Sequence, residues 1–467
     1  MSQSLLRQRF ARSGAVTFWS VVAFLVAVAL AGGASNPSSF AQVLVRATAT
    51  LAAAGWLVFA MRSGGDPRLR PAFVFIGLCA VLIGVQLVPL PPSWWAALPA
   101  RDAYAVAAAA VGVDGQWRPI SVAPDLGWSA FFGLIVPVAL LVGLACLSPR
   151  KRADLMLPLA VLIFASGVLG LAQLSGGDGS ALRWYAFTSE SSAVGFLANR
   201  NHQALLLACA LPVLAALASM PPKAGVKQRS GWVAIHWVAL GTGAFIVLML
   251  PSTGSRAGLA LGGLSILAAL AIAAPAMRQR LMAMRRKKRR LFVGGGVAAA
   301  LAFVAVLVFL GQNVAFSRIA GLDPMSDQRI RAFPVVFDMT RDFLPFGSGI
   351  GTFDRVFRQY EPFELLQRPY FNEAHNDIVQ LVLEGGIAAG LLLVAFAIWW
   401  MIATVRAWRA PVSAQSLAAR AGSVITLLCL LASIVDYPLR TPLMLAIFAL
   451  AAAWMLTPVS PRRDAGD

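Results

Sequence analysis

Charged side chains are scarce in this sequence. Asp, Glu, Lys and Arg make up 13% of 467 residues, whereas 59% are hydrophobic. A soluble chain of this length needs far more polar surface to cover its core, so a water-soluble globular protein is excluded. Histidine is rarer still, with three residues, and there are four Cys. Cys79, Cys146, Cys209 and Cys429 each lie inside an apolar run, and no two share a close spacing. That arrangement excludes a disulfide framework and a cysteine metal site. The loops hold no His, Asp and Glu group at ligand spacing, so neither a metal nor another cofactor is expected.

The abundant features are apolar runs, with 40 Gly and many Ala that suit close helix packing in lipid. The runs predict an all-α polytopic membrane protein of about twelve spans, forming one membrane domain over residues 1–467. They are expected near 15–33, 41–61, 72–90, 128–147, 154–174, 201–219, 232–251, 257–276, 291–311, 378–404, 421–437 and 441–457. The first reads as a signal anchor after Arg7, Arg9 and Arg12.

The net charge of +19 is chiefly a topology signal. Alternate connections hold 25 of the 39 Lys and Arg, including all five Lys and eight basic residues between Arg278 and Arg290, with only Asp66, Asp154, Asp464 and Asp467 as acids. This alternation predicts an inner-membrane protein with an even number of spans and both termini cytoplasmic. The run Arg285–Arg290 faces anionic lipid heads in this reading, and no nucleic-acid partner is expected.

Three outer, periplasmic loops are long: 91–127, 175–200 and 312–377. In the first, Trp residues suit the interface and 100–112 reads as a short helix lying on the membrane. The third is too long to be a mere connection, and its aromatic and apolar residues argue against disorder. It has a helical period over 333–343 and a flexible turn at Gly347-Ser348-Gly349-Ile350-Gly351. His375, in Asn372-Glu373-Ala374-His375-Asn376-Asp377, precedes the tenth span. His202, in Asn199-Arg200-Asn201-His202, opens the sixth, and Arg256, in Thr253-Gly254-Ser255-Arg256-Ala257-Gly258, opens the eighth. Asp377, Gln380 and Glu384 share one helical face. Each has a bland reading as a cap, a headgroup-level residue or a solvated ion pair. Their convergence on one membrane face suits a sharper chemistry. Guanidinium groups grip pyrophosphate oxygens with paired hydrogen bonds, and a neutral imidazole can accept a hydroxyl proton.

These stretches resemble the O-antigen ligase and polysaccharide polymerase superfamily of bacterial membrane glycosyltransferases. The likeness rests on Gly195-Phe196-Leu197-Ala198-Asn199-Arg200-Asn201-His202, on Ser255-Arg256-Ala257 (Ala257 standing where the family usually has Gly), on Arg329 through Pro345-Phe346-Gly347-Ser348-Gly349, and on His375-Asn376-Asp377 with Glu384-Gly385-Gly386. Pro119-Ile120-Ser121 before Pro124 also fits. The resemblance implies metal-independent, inverting transfer of a glycan from undecaprenyl pyrophosphate to an acceptor hydroxyl at the periplasmic face. It implies His375, Arg256 and Arg329 as catalytic residues, and Arg331, Arg200, Asn199, Asn201, His202 and Asn376 as substrate-binding residues. Polymerisation of O-antigen or exopolysaccharide repeats is favoured over ligation to lipid A-core or protein O-glycosylation. A chain-length regulator is an expected partner, with membrane lipids around it. The competing classes are a secondary transporter and a non-catalytic scaffold. Transporters place ionisable groups near the midplane of repeated halves, and here the spans hold few charges deep inside, Arg46 at the outer part of the second being the main exception.

Overall fold

The computed structural model describes residues 3–36, 40–177, 179–220, 229–291, 294–295, 324–366 and 371–457. The architecture is helical: α1 Gln3–Ala31, α2 Phe40–Ser63, α3 Arg70–Gln86, α4 Pro92–Ala96, α5 Asp102–Ala110, α6 Pro124–Gly133, α7 Ile135–Ala145, α8 Pro149–Asp154, α9 Met156–Ser175, α10 Arg200–Ser219, α11 Arg229–Ser252, α12 Arg256–Ala283, α13 Pro324–Phe343, α14 Phe353–Tyr360, α15 Asp377–Arg409, α16 Ala414–Ala432 and α17 Pro442–Met455. Pro89–Leu90 (β1) pairs antiparallel with Arg118–Pro119 (β2), Pro89 opposite Pro119.

Ten helical stretches among the described residues are long and apolar enough to cross a membrane. They coincide with the first eight expected spans and with the tenth and eleventh; the expected ninth, 291–311, lies almost wholly outside the described residues. The twelfth is the shorter apolar helix α17. The eleventh differs in its end. It was expected to run to 437, but α16 stops at Ala432. Ser433 closes it with an N–H to the Cys429 carbonyl, and Pro438, which lacks an amide N–H, holds the chain in a short 3-10 turn before α17. Asp436 thereby falls in the connection with Arg440 rather than in the helix.

α10 is buried on nearly every face, against α9, α11, α12 and α16. Small residues allow this closeness. A Cβ on Gly258 of α12 would come within 2.1 Å of the Ala204 methyl of α10. The central helix thus delivers its first residues, Arg200, Asn201 and His202, to the end of the bundle that carries residues 324–366 and 371–376. At the other end, buried Arg152 pairs with Asp66, and the Trp454 indole donates to the Arg152 carbonyl at 2.7 Å.

Residues 324–366 and 371–376 form a cap with its own small core, in which Val336, Met339, Phe343, Phe353, Phe357 and Phe371 pack together. Two buried polar residues bind the cap to the bundle. The Gln86 amide, at the end of α3, donates to the Glu384 and Phe346 carbonyls (2.8 and 3.1 Å) and accepts from the Ile350 N–H at 3.1 Å. The Arg101 guanidinium donates to the Ile120 carbonyl and lies 5.1 Å from the Phe343 ring. The glycine turn expected to be flexible is instead packed: Gly347, Ser348 and Gly349 are buried. Their N–H groups donate to the Phe343, Leu383 and Glu384 carbonyls. Gly349, at φ +107°, lies so close to Ser121 that a Cβ would come within 2.3 Å of its hydroxyl.

Replacing Gln86 with Leu strands the Phe346 carbonyl and the Ile350 N–H and leaves the Glu384 carbonyl with the Gly349 N–H alone, in a buried junction. Each buried group left unsatisfied costs about 1–3 kcal/mol, so Gln86→Leu should markedly lower the thermal unfolding midpoint in detergent. An unchanged midpoint would show that the junction does not hold the cap.

Candidate active site

The site grows from the connection between α16 and α17. Asp436 is buried at its centre, 3% exposed. Its carboxylate accepts from the Asn201 amide at 2.7 Å, from the Tyr437 backbone N–H at 3.1 Å and from His375 Nδ1 at 3.2 Å. His202 Nε2 lies 3.9 Å away. One carboxylate therefore gathers the start of α10, the approach to α15 and the α16–α17 connection. Tyr437 wedges between the imidazoles, its ring centroid 4.9 Å from His375 and 5.4 Å from His202. Phe371 backs His375 at 5.3 Å.

The contact with Asp436 selects a tautomer. Nδ1–H of His375 donates to the carboxylate, so the neutral ring carries its lone pair on Nε2. Burial lowers the His375 pKa below its usual 6.5; Asp436 opposes this, and the nearby Arg329 charge adds to it. The ring is then neutral at physiological pH. Burial by itself would raise the Asp436 pKa, but the His375 hydrogen bond and the charges of His202, His375 and Arg329 outweigh it and hold the group well below the usual carboxylate range. His375 adopts φ +50°, a left-handed conformation that costs a side-chain-bearing residue roughly 1–3 kcal/mol. The turn lets Asn376 follow as N-cap of α15, its side chain accepting from the Val379 N–H at 3.1 Å.

Beside Asp436 and its partners stands a second charged group. Arg440 reaches Asp377 (3.0 Å), Glu384 (3.3 Å) and Glu373 (3.5 Å) with its three guanidinium nitrogens. Gln380 bridges the carboxylates: it donates to Glu373 and Glu384 and accepts from the Ala374 N–H. Burial pushes the Glu373 pKa up to about 7, with Arg440 opposing and Glu384 adding to the rise. The three carboxylates outweigh the burial penalty on Arg440 and raise its pKa. Removing Arg440 would leave this buried negative charge uncompensated.

The expected site residues fall into two groups. His375, His202, Asn201 and Arg329 converge. Arg329 donates to the Val435 carbonyl at 3.3 Å, and its Nε is buried without a hydrogen-bond partner. Both His202 ring nitrogens are likewise buried without a partner. Asn199 caps α10 through the Asn201 N–H, as Asn376 caps α15. Arg256 is exposed at the first turn of α12, Arg331 is exposed on α13, and Arg200 is half-buried at the start of α10. Sequence reasoning missed Asp436 and Arg440. Their signal was a pair of opposite charges four residues apart in a short interruption between two apolar runs.

Among known proteins, residues 226–394 match the family model described as O-antigen ligase. The match bears out the resemblance to the O-antigen ligase and polysaccharide polymerase superfamily, whose activity is glycosyl transfer of the ligase or polymerase type. It spans Arg256, Arg329, Arg331 and His375, begins after Asn201 and His202, and ends before Asp436 and Arg440. No curated protein matches the chain.

Replacing Asp436 with Asn keeps the shape but removes the charge that orients His375. Transfer should fall about 10²-fold or more, with the protein still inserted. Because Asp436 raises the His375 pKa, its loss should also move the acid limb of the pH–rate profile, which lies below pH 6.5, to lower pH. A profile that does not move would show that Asp436 does not govern the imidazole.

Proposed function

We propose that the protein transfers a glycan from a polyprenyl pyrophosphate carrier to an acceptor hydroxyl at the periplasmic face, joining repeat units of a bacterial surface polysaccharide. The observation that carries this reading is the His375–Asp436 pair, held beside Arg329 under an ordered cap. The neutral His375 accepts the acceptor's proton on Nε2. The acceptor oxygen attacks the anomeric carbon opposite the leaving group, and the new C–O bond forms as the bond to pyrophosphate breaks. The electron pair leaves with the pyrophosphate oxygen, and the configuration inverts. Arg329 and Arg256 hold the departing charge, with Arg331 and Arg200 along the cap and the α10 start, as a divalent cation would in other transferases. Asn201 positions the Asp436 carboxylate, and through it the base, with His202 beside them. The cap keeps water from competing for the anomeric carbon.

Polymerisation is favoured over ligation to lipid A-core or to protein. A chain-length regulator is the expected partner. In a strain lacking the gene, single lipid-linked repeats should accumulate, and the wild-type gene should clear them. His375→Ala, inserted at wild-type level, should lose about 10²–10⁴-fold in transfer and fail to clear them. Full transfer by that variant would remove the base assignment. Accumulation of long lipid-linked chains would make the protein a ligase.

A further inference from the structure

The excursion between α3 and α6 has two unlike sides. Its neck is closed by the pairing of β1 with β2, and its interior is tied down. The buried Trp95 indole donates to the Pro119 carbonyl at 2.9 Å. The Arg118 guanidinium donates to the Val113 carbonyl at 2.8 Å and lies 5.2 Å from the Trp95 ring. Toward the cap, Ala100 and Tyr104 pack against the cap's own core, and the Arg101 guanidinium lies against the Phe343 ring.

The opposite side of α5 is bare. Ala103, Val106, Ala107 and Ala110 are exposed at spacing i, i+3, i+4 and i+7, which makes one apolar stripe along the helix. Val106 is 70% exposed. Asp102, in the first turn, is the only charged residue of α5. Beside the neck, Trp94 and Trp117 are 67% and 64% exposed.

Continuity with a span indicates what covers this side. Val74, Leu78, Val81 and Val85 of α3 are exposed at helical spacing, the lipid-facing side of a helix long and apolar enough to cross a membrane. That side continues past the end of α3 at Gln86 through exposed Val88 to Trp94. Tryptophan suits the boundary of lipid and water, where its ring is buried and its N–H stays hydrated. An Ala and Val stripe gains by leaving water for the acyl boundary. A charged polymer or peptide would need charge to meet it, and α5 offers a single Asp.

We infer that α5 lies in the outer leaflet with its 103–110 stripe against bulk phospholipid, and that through Tyr104 and Arg101 it couples the bilayer to the cap. The sequence predicts a helix on the membrane; the structure supplies the immersed face and the mechanical tie. The inference stands independently of the glycosyl-transfer reading.

Photo-crosslinking of the full-length protein in phosphatidylethanolamine–phosphatidylglycerol nanodiscs reads the contact directly. A benzophenone side chain at position 106 or 110 should capture at least about five-fold more phospholipid than one at position 114. In the otherwise native chain, the double variant Val106→Asp, Val111→Asp should lift the helix off the bilayer, and amide hydrogen exchange over residues 336–343 of the cap should rise about three-fold or more. Equal, low lipid capture at all three positions would put the stripe in water and overturn the inference. Capture of a second copy of the chain in place of lipid would overturn it in favour of a protein interface. Cap exchange unmoved by the double variant would overturn the coupling.

Discussion

A carboxylate buried in protein must be met by donors on nearly every lone pair, or it will take up a proton instead. Asp436 meets that demand with an amide from α10, a backbone N–H from its own turn and an imidazole from the approach to α15. Three segments far apart in sequence are thereby tied to one pair of oxygens. The rest of the site follows: the His375 ring faces one way because Nδ1 is committed, and Tyr437 and Phe371 fix its plane. Arg329 reaches the same connection from the cap.

Arg440 imposes the complementary constraint four residues later. Three carboxylates converge on one guanidinium, and two of them, Asp377 and Glu384, project from the same face of α15. The arrangement fixes the rotation of α15 about its axis and ties its first turn to the α16–α17 connection, a tie reinforced by the Asp377 N–H donating to the Ser433 carbonyl at 2.8 Å. His375, immediately before that turn, inherits a defined position. Packing the cap through Gln86 and Arg101 closes the remaining freedom from the side of the first loop.

Much of this was legible before any coordinates. Apolar runs of membrane-spanning length mark ten helical stretches among the described residues, because the bilayer leaves a chain few other choices. The two histidines at the mouths of spans, and the shared face of Asp377, Gln380 and Glu384, also stand out against an apolar background. What escaped was pairing across distance. Asp436 is 235 residues from Asn201, and no local pattern announces that contact. It was absorbed into an apolar run because hydropathy averages over a window, and one Asp among Ile434, Val435 and Leu439 barely lowers the mean. Glycine was misread for a related reason. Gly347 and Gly349 suggest looseness in a sequence, yet here the missing side chain serves close approach of one backbone to another.

The connection between α16 and α17 spans residues 433–441 and carries both Asp436 and Arg440. One short rigid strut thus bears the imidazole's partner at one end and the neutralising cation of α15 at the other. A shift of α17 relative to α10 would disturb proton acceptance and the charge balance at the start of α15 together. Proton acceptance and the anchoring of α15 are in that sense geared to a common axle, so that neither can be retuned by substitution in this segment without altering the other.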